Sequence, residues 1–274
     1  MQQIWVLTHY FIRRGLWSLT GLFYLIGSLL FWYFFFPPQQ GTPNIANYML
    51  LIGVFGGVIA FLLTLTLTSQ ANRAVNYPFL VRLPSRVAYL TAVLLATLFI
   101  TLLLQGLVAL LALYNGPEVS LRLLELPPLW LALNLLAIVL AFHASDFVTA
   151  GWSRVYVYGT LALLIVSQNS GGLLGQLLIN QLNTFNRFLM RQGMLSFSNQ
   201  IAHFSNWLQG DGADGMVNLL GTAFWPFHAI IEAIIAGGFN AIQALAPAVL
   251  LLYATILFML AADLFANKDI EFIE

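Results

Sequence analysis

Residues able to do acid–base or metal chemistry are few in this sequence and lie far apart. The histidines are His9, His143, His203 and His228. His228 and Glu232 are four residues apart, a spacing that places two side chains on one face of a helix. A metal site needs a third ligand, and the neighbouring residues supply none. We therefore interpret the two side chains as a hydrated pair at the outer membrane interface.

The sequence contains no phosphate-binding loop of the kind that binds nucleotides. A phosphate-binding loop places a lysine directly after a glycine, so that it reaches the β- and γ-phosphates. The only lysine, Lys268, follows Asn267, which excludes such a loop. The chain has no cysteine, which excludes disulfides, thiolate metal sites and cysteine nucleophiles. We predict that the chain is not an enzyme and has no catalytic, cofactor-binding or metal-binding residues of its own.

The composition is typical of an integral membrane protein. Of the 274 residues, 60% are hydrophobic and 7% are charged, and the mean hydropathy is +0.87. A soluble domain has about a quarter charged residues, and this chain could not cover a soluble surface. Ten basic residues balance ten acidic ones, so no basic field is available to bind nucleic acid.

Six segments are predicted to be transmembrane helices, because a helix that crosses the hydrocarbon layer needs about 20 mostly apolar residues. They are residues 16–36, 48–68, 87–113, 127–145, 151–168 and 241–265. Before the first of them, Ile4, Leu7 and Phe11 share one helical face, which predicts an interfacial helix. No soluble domain separates the segments, so residues 1–274 are predicted to form one membrane domain.

The distribution of Lys and Arg predicts that both termini lie in the cytoplasm and that the protein lies in the cytoplasmic membrane. In this orientation the cytoplasmic basic residues are Arg13, Arg14, Arg73, Arg82, Arg86, Arg154 and Lys268. The external ones are Arg122, Arg187 and Arg191.

The polar residues inside the predicted spans are neutral. They include Thr64, Thr66, Gln105 and Asn134. Such residues either line a substrate path or hydrogen-bond between helices, and the second role is favoured. A proton-driven carrier with a chain of buried carboxylates is disfavoured, because charged residues lie only near the ends of the spans.

The segment 169–240 is the main ambiguity of the topology. Apolar residues recur at helical spacing before and after Gly193, which predicts one or two amphipathic helices on the outer surface or against the bundle. Residues 216–236 are apolar but contain Pro226, His228 and Glu232. This stretch either crosses the membrane as a seventh span or enters and returns, and we favour the re-entrant form.

The loop after the second span, residues 69–86, is the most informative segment outside the spans. Its arginines are Arg73, Arg82 and Arg86. Ala71, Val75 and Phe79 are spaced four apart, which predicts a short amphipathic helix that stops at Pro84. The arginines either anchor the topology or form a docking helix for a cytoplasmic partner with an acidic groove.

Four features, taken in order, resemble permeases of the type-2 ABC transporter family, the six-span half-transporters common in bacterial exporters. Ile4 to Arg14 resembles the family's amphipathic elbow, and Arg82 to Leu90 resembles the end of its coupling-helix loop. In the external insertion, Phe224 to Phe227 and Gly237-Gly238 resemble its broken re-entrant helices. The last span leads to a short tail, Asp263 to Ile270.

The resemblance implies an all-α polytopic fold with six spans, an elbow helix, a cytoplasmic coupling helix and an external insertion at 169–240. One departure concerns the residues ahead of the coupling helix. Many members have an acidic residue and a Gly-Thr pair there, where this chain has Gln70 and Ala71.

The resemblance also implies partners. Two permeases would pair, as a homodimer or heterodimer, and two ATPase chains carrying ATP and Mg would dock on the coupling helices. The docking residues would be Arg73, Tyr77, Phe79, Arg82 and Arg86. The scarcity of charge in the spans favours export of a lipid-like, amphipathic or apolar cargo. The alternative is a non-transporting anchor or scaffold subunit of a larger membrane complex.

Overall fold

The structure is a computed structural model that describes residues 2–37, 44–83, 85–114, 126–149, 152–168, 171–209 and 222–268. Every element of regular structure in these ranges is helical, as the sequence predicts, and none is a strand. The α-helices are α1 (Gln2–Leu16), α2 (Leu19–Phe35), α3 (Ile45–Ala71), α4 (Tyr77–Arg82), α5 (Arg86–Leu113), α6 (Leu126–Ala144), α7 (Trp152–Gln168), α8 (Gly171–Arg191), α9 (Leu195–Gln209), α10 (Trp225–Ala236) and α11 (Ala246–Asn267). Short 3₁₀ turns at Ala74–Asn76 and Gln243–Leu245 precede α4 and α11.

Within the described ranges, four helical segments are long and apolar enough to cross a membrane. They are Ile45–Ala71, Arg86–Leu113, Pro127–Ala144 and Gln243–Asn267. A fifth candidate arises if α1 and α2, which meet at a bend of 67°, count as one span. These helices are those expected of a multi-pass membrane protein.

Helices occupy all six predicted intervals, but two of them are short for a crossing. Helices α2 and α7 have 17 residues each, which at 1.5 Å per residue gives about 26 Å against a hydrocarbon layer of about 30 Å. The six-span topology therefore stays a prediction. The first predicted segment, residues 16–36, includes the bend, because α1 continues to Leu16 and α2 begins at Leu19.

The bend between α1 and α2 depends on Ser18 and Gly21. The Ser18 side chain accepts a hydrogen bond from the Gly21 backbone N–H at 3.1 Å and so caps the first turn of α2. A Cβ atom at Gly21 would lie 2.3 Å from the carbonyl oxygen of Gly15. Only glycine permits this close approach of two helix ends.

The last predicted span, residues 241–265, matches the candidate span Gln243–Asn267 to within two residues at each end. Asn240 begins a turn, in which its side chain accepts hydrogen bonds from the backbone N–H groups of Ile242 and Gln243 at 3.0 and 2.8 Å. Helix α11 then begins at Ala246, with Pro247 in its first turn. A proline is tolerated there because its missing N–H would have no partner within the helix.

The chain forms two compact units, Met1–Val157 with Ile230–Glu274, and Tyr158–Ala229. In the first unit, α3 packs on α5 and α6, α11 packs on α6, and α1 packs on α5. Small residues recur on the buried faces, including Ala60, Ala92, Ala96, Ala132, Ala141 and Ala261. Small side chains let helix backbones approach closely, which is how helices associate in lipid.

Helix α2 contributes little to this core and exposes apolar side chains along its length. Of its residues, only Ser28 is buried, whereas Phe23 is 73% and Phe34 is 72% exposed. An apolar helical surface of this extent is unfavourable in water and suits contact with lipid.

In the second unit, α8 and α9 form a hairpin that turns at Gly193, where the sequence predicts a break. Gly193 has a φ of 73°, and the N–H of Met194 bonds to the Leu189 carbonyl at 3.1 Å, which caps α8. Between the helices, Ser198 donates to the Asn186 side chain at 2.6 Å and Ser205 donates to that of Asn183 at 3.2 Å. The contact between α8 and α9 is therefore partly polar.

Candidate functional site

The clearest polar cluster of the first unit joins α1 to the loop before α4. Arg14 donates from Nη1 to the Tyr10 hydroxyl at 2.6 Å and to Asn76 Oδ1 at 3.3 Å. The Tyr10 hydroxyl also donates to Asn76 Oδ1, at 3.3 Å. Asn76 is fully buried, so its side-chain oxygen is held by two donors from one helix. We call Tyr10, Arg14 and Asn76 the Asn76 cluster.

The other end of the Asn76 amide reaches the C-terminus of α3. Asn76 donates from Nδ2 to the carbonyl oxygens of Gln70 at 2.8 Å and Ala71 at 3.4 Å. The hydroxyl of Tyr89, in α5, donates to the same Ala71 carbonyl at 2.9 Å. The last carbonyls of a helix have no partner within it, and here side chains from two other elements supply the donors. The end of α3 is thereby tied to α1, to α5 and to the loop.

The five predicted docking residues have different environments. Arg73 and Arg82 are exposed, and Phe79 is 39% exposed with its ring centroid 5.2 Å from that of Tyr10. Arg86 is half-buried and donates to the carbonyl oxygens of Ala266 at 3.1 Å and Lys268 at 2.6 Å. The side chain of Tyr77, the fifth residue, lies outside the described residues.

The three arginines of the predicted docking set have two different roles in the structure. The side chains of Arg73 and Arg82 have no ion-pair or hydrogen-bond partner within the described part of the chain, so they are available to a second molecule. Arg86 instead satisfies carbonyl groups at the C-terminal end of α11, where a positive charge also favours the helix dipole.

A groove runs between α1 and α4 and has a volume of about 440 Å³. Its lining residues are Gln3, Val6, Leu7, Tyr10, Phe79, Arg82 and Leu83. Sequence reasoning missed this groove, because its two walls lie about 70 residues apart in the chain and neither wall has a distinctive motif.

A second polar cluster lies at the ends of α6 and α11. The guanidinium of Arg154 pairs with the Asp146 carboxylate and donates from Nε to the Ala144 carbonyl at 3.1 Å. Lys268 donates to the Asp146 carbonyl. The two charged side chains of the pair are 44% and 61% exposed, so the pair contributes at most about 1 kcal/mol.

The neutral polar residues of the spans hydrogen-bond between helices. Gln105 of α5 donates from Nε2 to the Ile52 carbonyl of α3 at 2.9 Å. Asn134 of α6 donates from Nδ2 to Gln105 Oε1 at 2.7 Å. A Cβ atom at Gly56 would lie 2.1 Å from Gln105 Nε2, so the amide packs directly on the α3 backbone. Gln105 and Asn134 are both fully buried.

The two threonines predicted with them have simpler roles. Thr64 is buried and donates to the Ala60 carbonyl of its own helix at 2.6 Å. Thr66 donates to the Leu62 carbonyl at 3.0 Å and lies 2.8 Å from the Tyr24 hydroxyl of α2. In this conformation, three of the four predicted polar residues contact another helix, and Thr64 does not line an open path.

The predicted re-entrant segment contains α10, whose 12 residues span about 18 Å and cannot cross the membrane alone. Pro226 is buried in its first turn, His228 is half-buried and Glu232 is exposed. The helix ends at Gly237, which has a φ of 92°. No group of three His, Asp or Glu residues suited to a metal occurs in the ranges that the structure describes.

No family model matches the chain, and no curated protein or solved structure matches it either. Any function must therefore be inferred from the residues and from the contacts described above.

Proposed function

We propose that the chain is the membrane-spanning permease subunit of an ATP-driven transporter of the type-2 ABC kind. In this proposal it lies in the cytoplasmic membrane with both termini inside and pairs with a second permease. A separate ATPase binds at residues 70–86, and the cargo is lipid-like, amphipathic or apolar and moves outward. The observation that carries the proposal is the Asn76 cluster, which ties an exposed, arginine-bearing loop to α1 and α3.

A transporter driven by a separate ATPase needs a surface on which that ATPase acts and a connection from this surface to the spans. Nucleotide binding to the ATPase can change the conformation of the permease only if it favours one conformation over the other through such contacts. Here Phe79 packs on Tyr10, Tyr10 and Arg14 hold Asn76, and Asn76 holds the end of α3. A displacement of α4 is therefore transmitted directly to α1 and α3.

The charge of this region suits an acidic partner. The first acidic residue of the chain is Glu118, whereas five arginines precede it. Two of these, Arg14 and Arg86, are engaged within the chain, which leaves Arg73 and Arg82 on the loop without a carboxylate. Uncompensated arginines steer an acidic surface toward the loop and fix its orientation.

The cargo class follows from the polar residues of the bundle. Thr97, Thr101, Gln105 and Asn134 are buried polar side chains of α5 and α6, and all four are neutral. A path for an ion or a nucleotide requires charges or many donors, whereas an apolar cargo requires neither.

Purification in mild detergent tests the proposal. We expect a P-loop ATPase to co-purify in stoichiometric amount and to show vanadate-sensitive hydrolysis. Arg82→Glu should leave membrane insertion intact and weaken ATPase binding at least tenfold, because it reverses the charge on the docking surface. Arg191→Glu is the matched control, since Arg191 is exposed on α8 and lies far from the loop in sequence.

Two results would contradict the proposal. A partner set without any nucleotide-binding chain would favour the scaffold alternative. Normal ATPase binding by Arg82→Glu would show that the loop only anchors the topology.

A further inference from the structure

The groove between α1 and α4 shares Phe79 and Arg82 with the proposed ATPase contact, and its chemistry is mixed. Val6, Leu7, Phe79 and Leu83 supply apolar walls, and Arg82 supplies a guanidinium at the same groove. We propose that this groove binds one anionic phospholipid, with an acyl chain along the apolar walls and the phosphate on Arg82. The inference rests on the membrane location in the proposed function, but it does not require an ATPase.

The size and lining of the groove suit a chain of methylene groups. A volume of about 440 Å³ lies within the range of small-molecule sites, which are mostly apolar with a few polar groups that fix orientation. Besides Arg82, the polar residues of the lining are Gln3 and Tyr10, and none of the described lining residues has a carboxylate. An acyl chain fills such a space without leaving a buried polar group unpaired.

The charge around the groove selects an anion. Neither α1 nor α4, nor any residue before Glu118, is acidic. Arg14 is occupied by Tyr10 and Asn76, whereas Arg82 is exposed and has no partner among the residues that the structure describes. A guanidinium presents paired donors that match phosphate oxygens, and cytoplasmic leaflets are rich in anionic lipids.

The position of α1 favours a lipid over an acidic protein segment. Val6 lines the groove and is 67% exposed, and its neighbour Trp5 is 66% exposed. Exposed tryptophan and apolar residues on an amphipathic helix are typical of the headgroup level of a membrane. Helix α2, which follows directly after the bend, exposes apolar residues along its length. The groove therefore opens on the side of α1 that is suited to the bilayer.

The test measures lipid binding to the purified full-length chain without any ATPase, by native mass spectrometry after delipidation. The probes are phosphatidylglycerol, phosphatidylcholine with the same acyl chains, and glycerol phosphate, which has the headgroup but no chains. We expect one phosphatidylglycerol per chain, bound at least tenfold more tightly than phosphatidylcholine and not displaced by glycerol phosphate.

Three variants locate the site. Arg82→Gln should weaken phosphatidylglycerol binding by about tenfold or more and so remove the preference over phosphatidylcholine. This factor corresponds to the loss of one hydrogen bond to a charged group. Val6→Trp should fill the groove and weaken both lipids. Arg13→Gln removes an equally exposed arginine of α1 that does not line the groove, and it should bind as the wild type does. If Val6→Trp does not fold, Gln3→Trp fills the same groove from an exposed position.

The proposal is overturned if Arg82→Gln and Arg13→Gln retain phosphatidylglycerol equally, or if phosphatidylcholine binds as tightly. It is also overturned if a single cysteine introduced at Val6 crosslinks to a protein partner and is not protected by phosphatidylglycerol. The absence of an ATPase partner would not change the lipid result, and loss of lipid binding in Val6→Trp should leave ATPase binding intact, because Val6 is not a docking residue. The two proposals therefore fail separately.

Discussion

Replacing Gln105 by methionine should destabilise the junction of α3, α5 and α6 more than any other single conservative change there. Methionine is unbranched and fills nearly the same space against Gly56, so the change removes hydrogen bonds and little packing. It removes the bond to the Ile52 carbonyl and leaves the Asn134 amide without its acceptor. The Oδ1 atom of Asn134 already has no partner in the described structure, so the whole buried amide would be unsatisfied.

The magnitude follows from the cost of that unsatisfied amide. A buried polar group left without a partner costs about 1–3 kcal/mol, and single interhelical hydrogen bonds in membranes reach about 1.7 kcal/mol. We expect Gln105→Met to lower the free energy of unfolding by about 2 kcal/mol. Asn134→Leu should cost less, about 1 kcal/mol, because it leaves only Gln105 Oε1 without a partner and also removes an unpartnered oxygen, whereas Gln105 keeps its bond to Ile52.

The double variant Gln105→Met with Asn134→Leu should cost less than Gln105→Met alone, since replacing both partners by apolar groups leaves nothing unsatisfied. The assay is reversible unfolding in mixed detergent micelles, followed by circular dichroism. Thr101→Val is the matched control, because Thr101 is fully buried one turn away in α5 and its hydroxyl has no partner among the described residues. It should be neutral or slightly stabilising.

Two outcomes would refute the reasoning. If the double variant costs the sum of the two single changes, Gln105 and Asn134 do not interact. If Gln105→Met is as stable as Thr101→Val, the side-chain amide of Gln105 is not shielded from water. Either result would favour the path-lining role that the sequence also allows for these residues.

Two further changes test the cytoplasmic connection and the bend. Asn76→Ala should leave ATPase binding largely intact but reduce transport-coupled hydrolysis severalfold in proteoliposomes, because it removes the link between the loop and α3. Coupled hydrolysis equal to that of the wild type would contradict this role. Gly21→Ala should lower the thermal unfolding temperature in detergent, because the new Cβ would meet the Gly15 carbonyl. Gly27→Ala is the control: its Cβ would meet nothing within 4 Å, so the change should be neutral or stabilising. Equal effects of the two changes on the unfolding temperature would contradict the steric argument.

The helical intervals could be predicted closely, because apolar length is a local property of the sequence. Helix α3 extends the predicted 48–68 to Ile45–Ala71, and α5 and α6 begin within a residue of prediction. The helix starts differ from the predicted segments where short polar signals decide where a helix begins. Ser18 begins α2, and the turn at Asn240 delays α11, although both residues lie next to apolar runs that continue the hydropathy signal.

The partners of polar residues could not be predicted, because they depend on which helices become neighbours. Tyr10 and Asn76 are 66 residues apart, and Gln105 meets a carbonyl 53 residues away. The sequence identifies Gln105 and Asn134 as unusual in apolar helices, but it has no signal for their pairing. Arg86 was grouped with the other loop arginines for the same reason, although it reaches the end of α11, about 180 residues further along the chain.

The unequal strength of the helix contacts indicates which parts of the bundle can move in the proposed transport cycle. Separating α3, α5 and α6 would break the hydrogen bonds of Gln105 and Asn134, at a cost of about 1–3 kcal/mol. This cost is as large as the free energy that typically couples two sites in an allosteric protein. Helix α2 contacts α3 through side chains, at Tyr24 and Thr66 and at Phe31 and Phe55, and it packs on α5, but only its Ser28 is buried. We therefore expect α3, α5 and α6 to move as one body, and relative motion to occur at α2 and at the bend near Gly21. Because the Asn76 cluster connects the docking loop to α1, which lies on one side of that bend, and to α3, a displacement of α4 would reach the bend through α1.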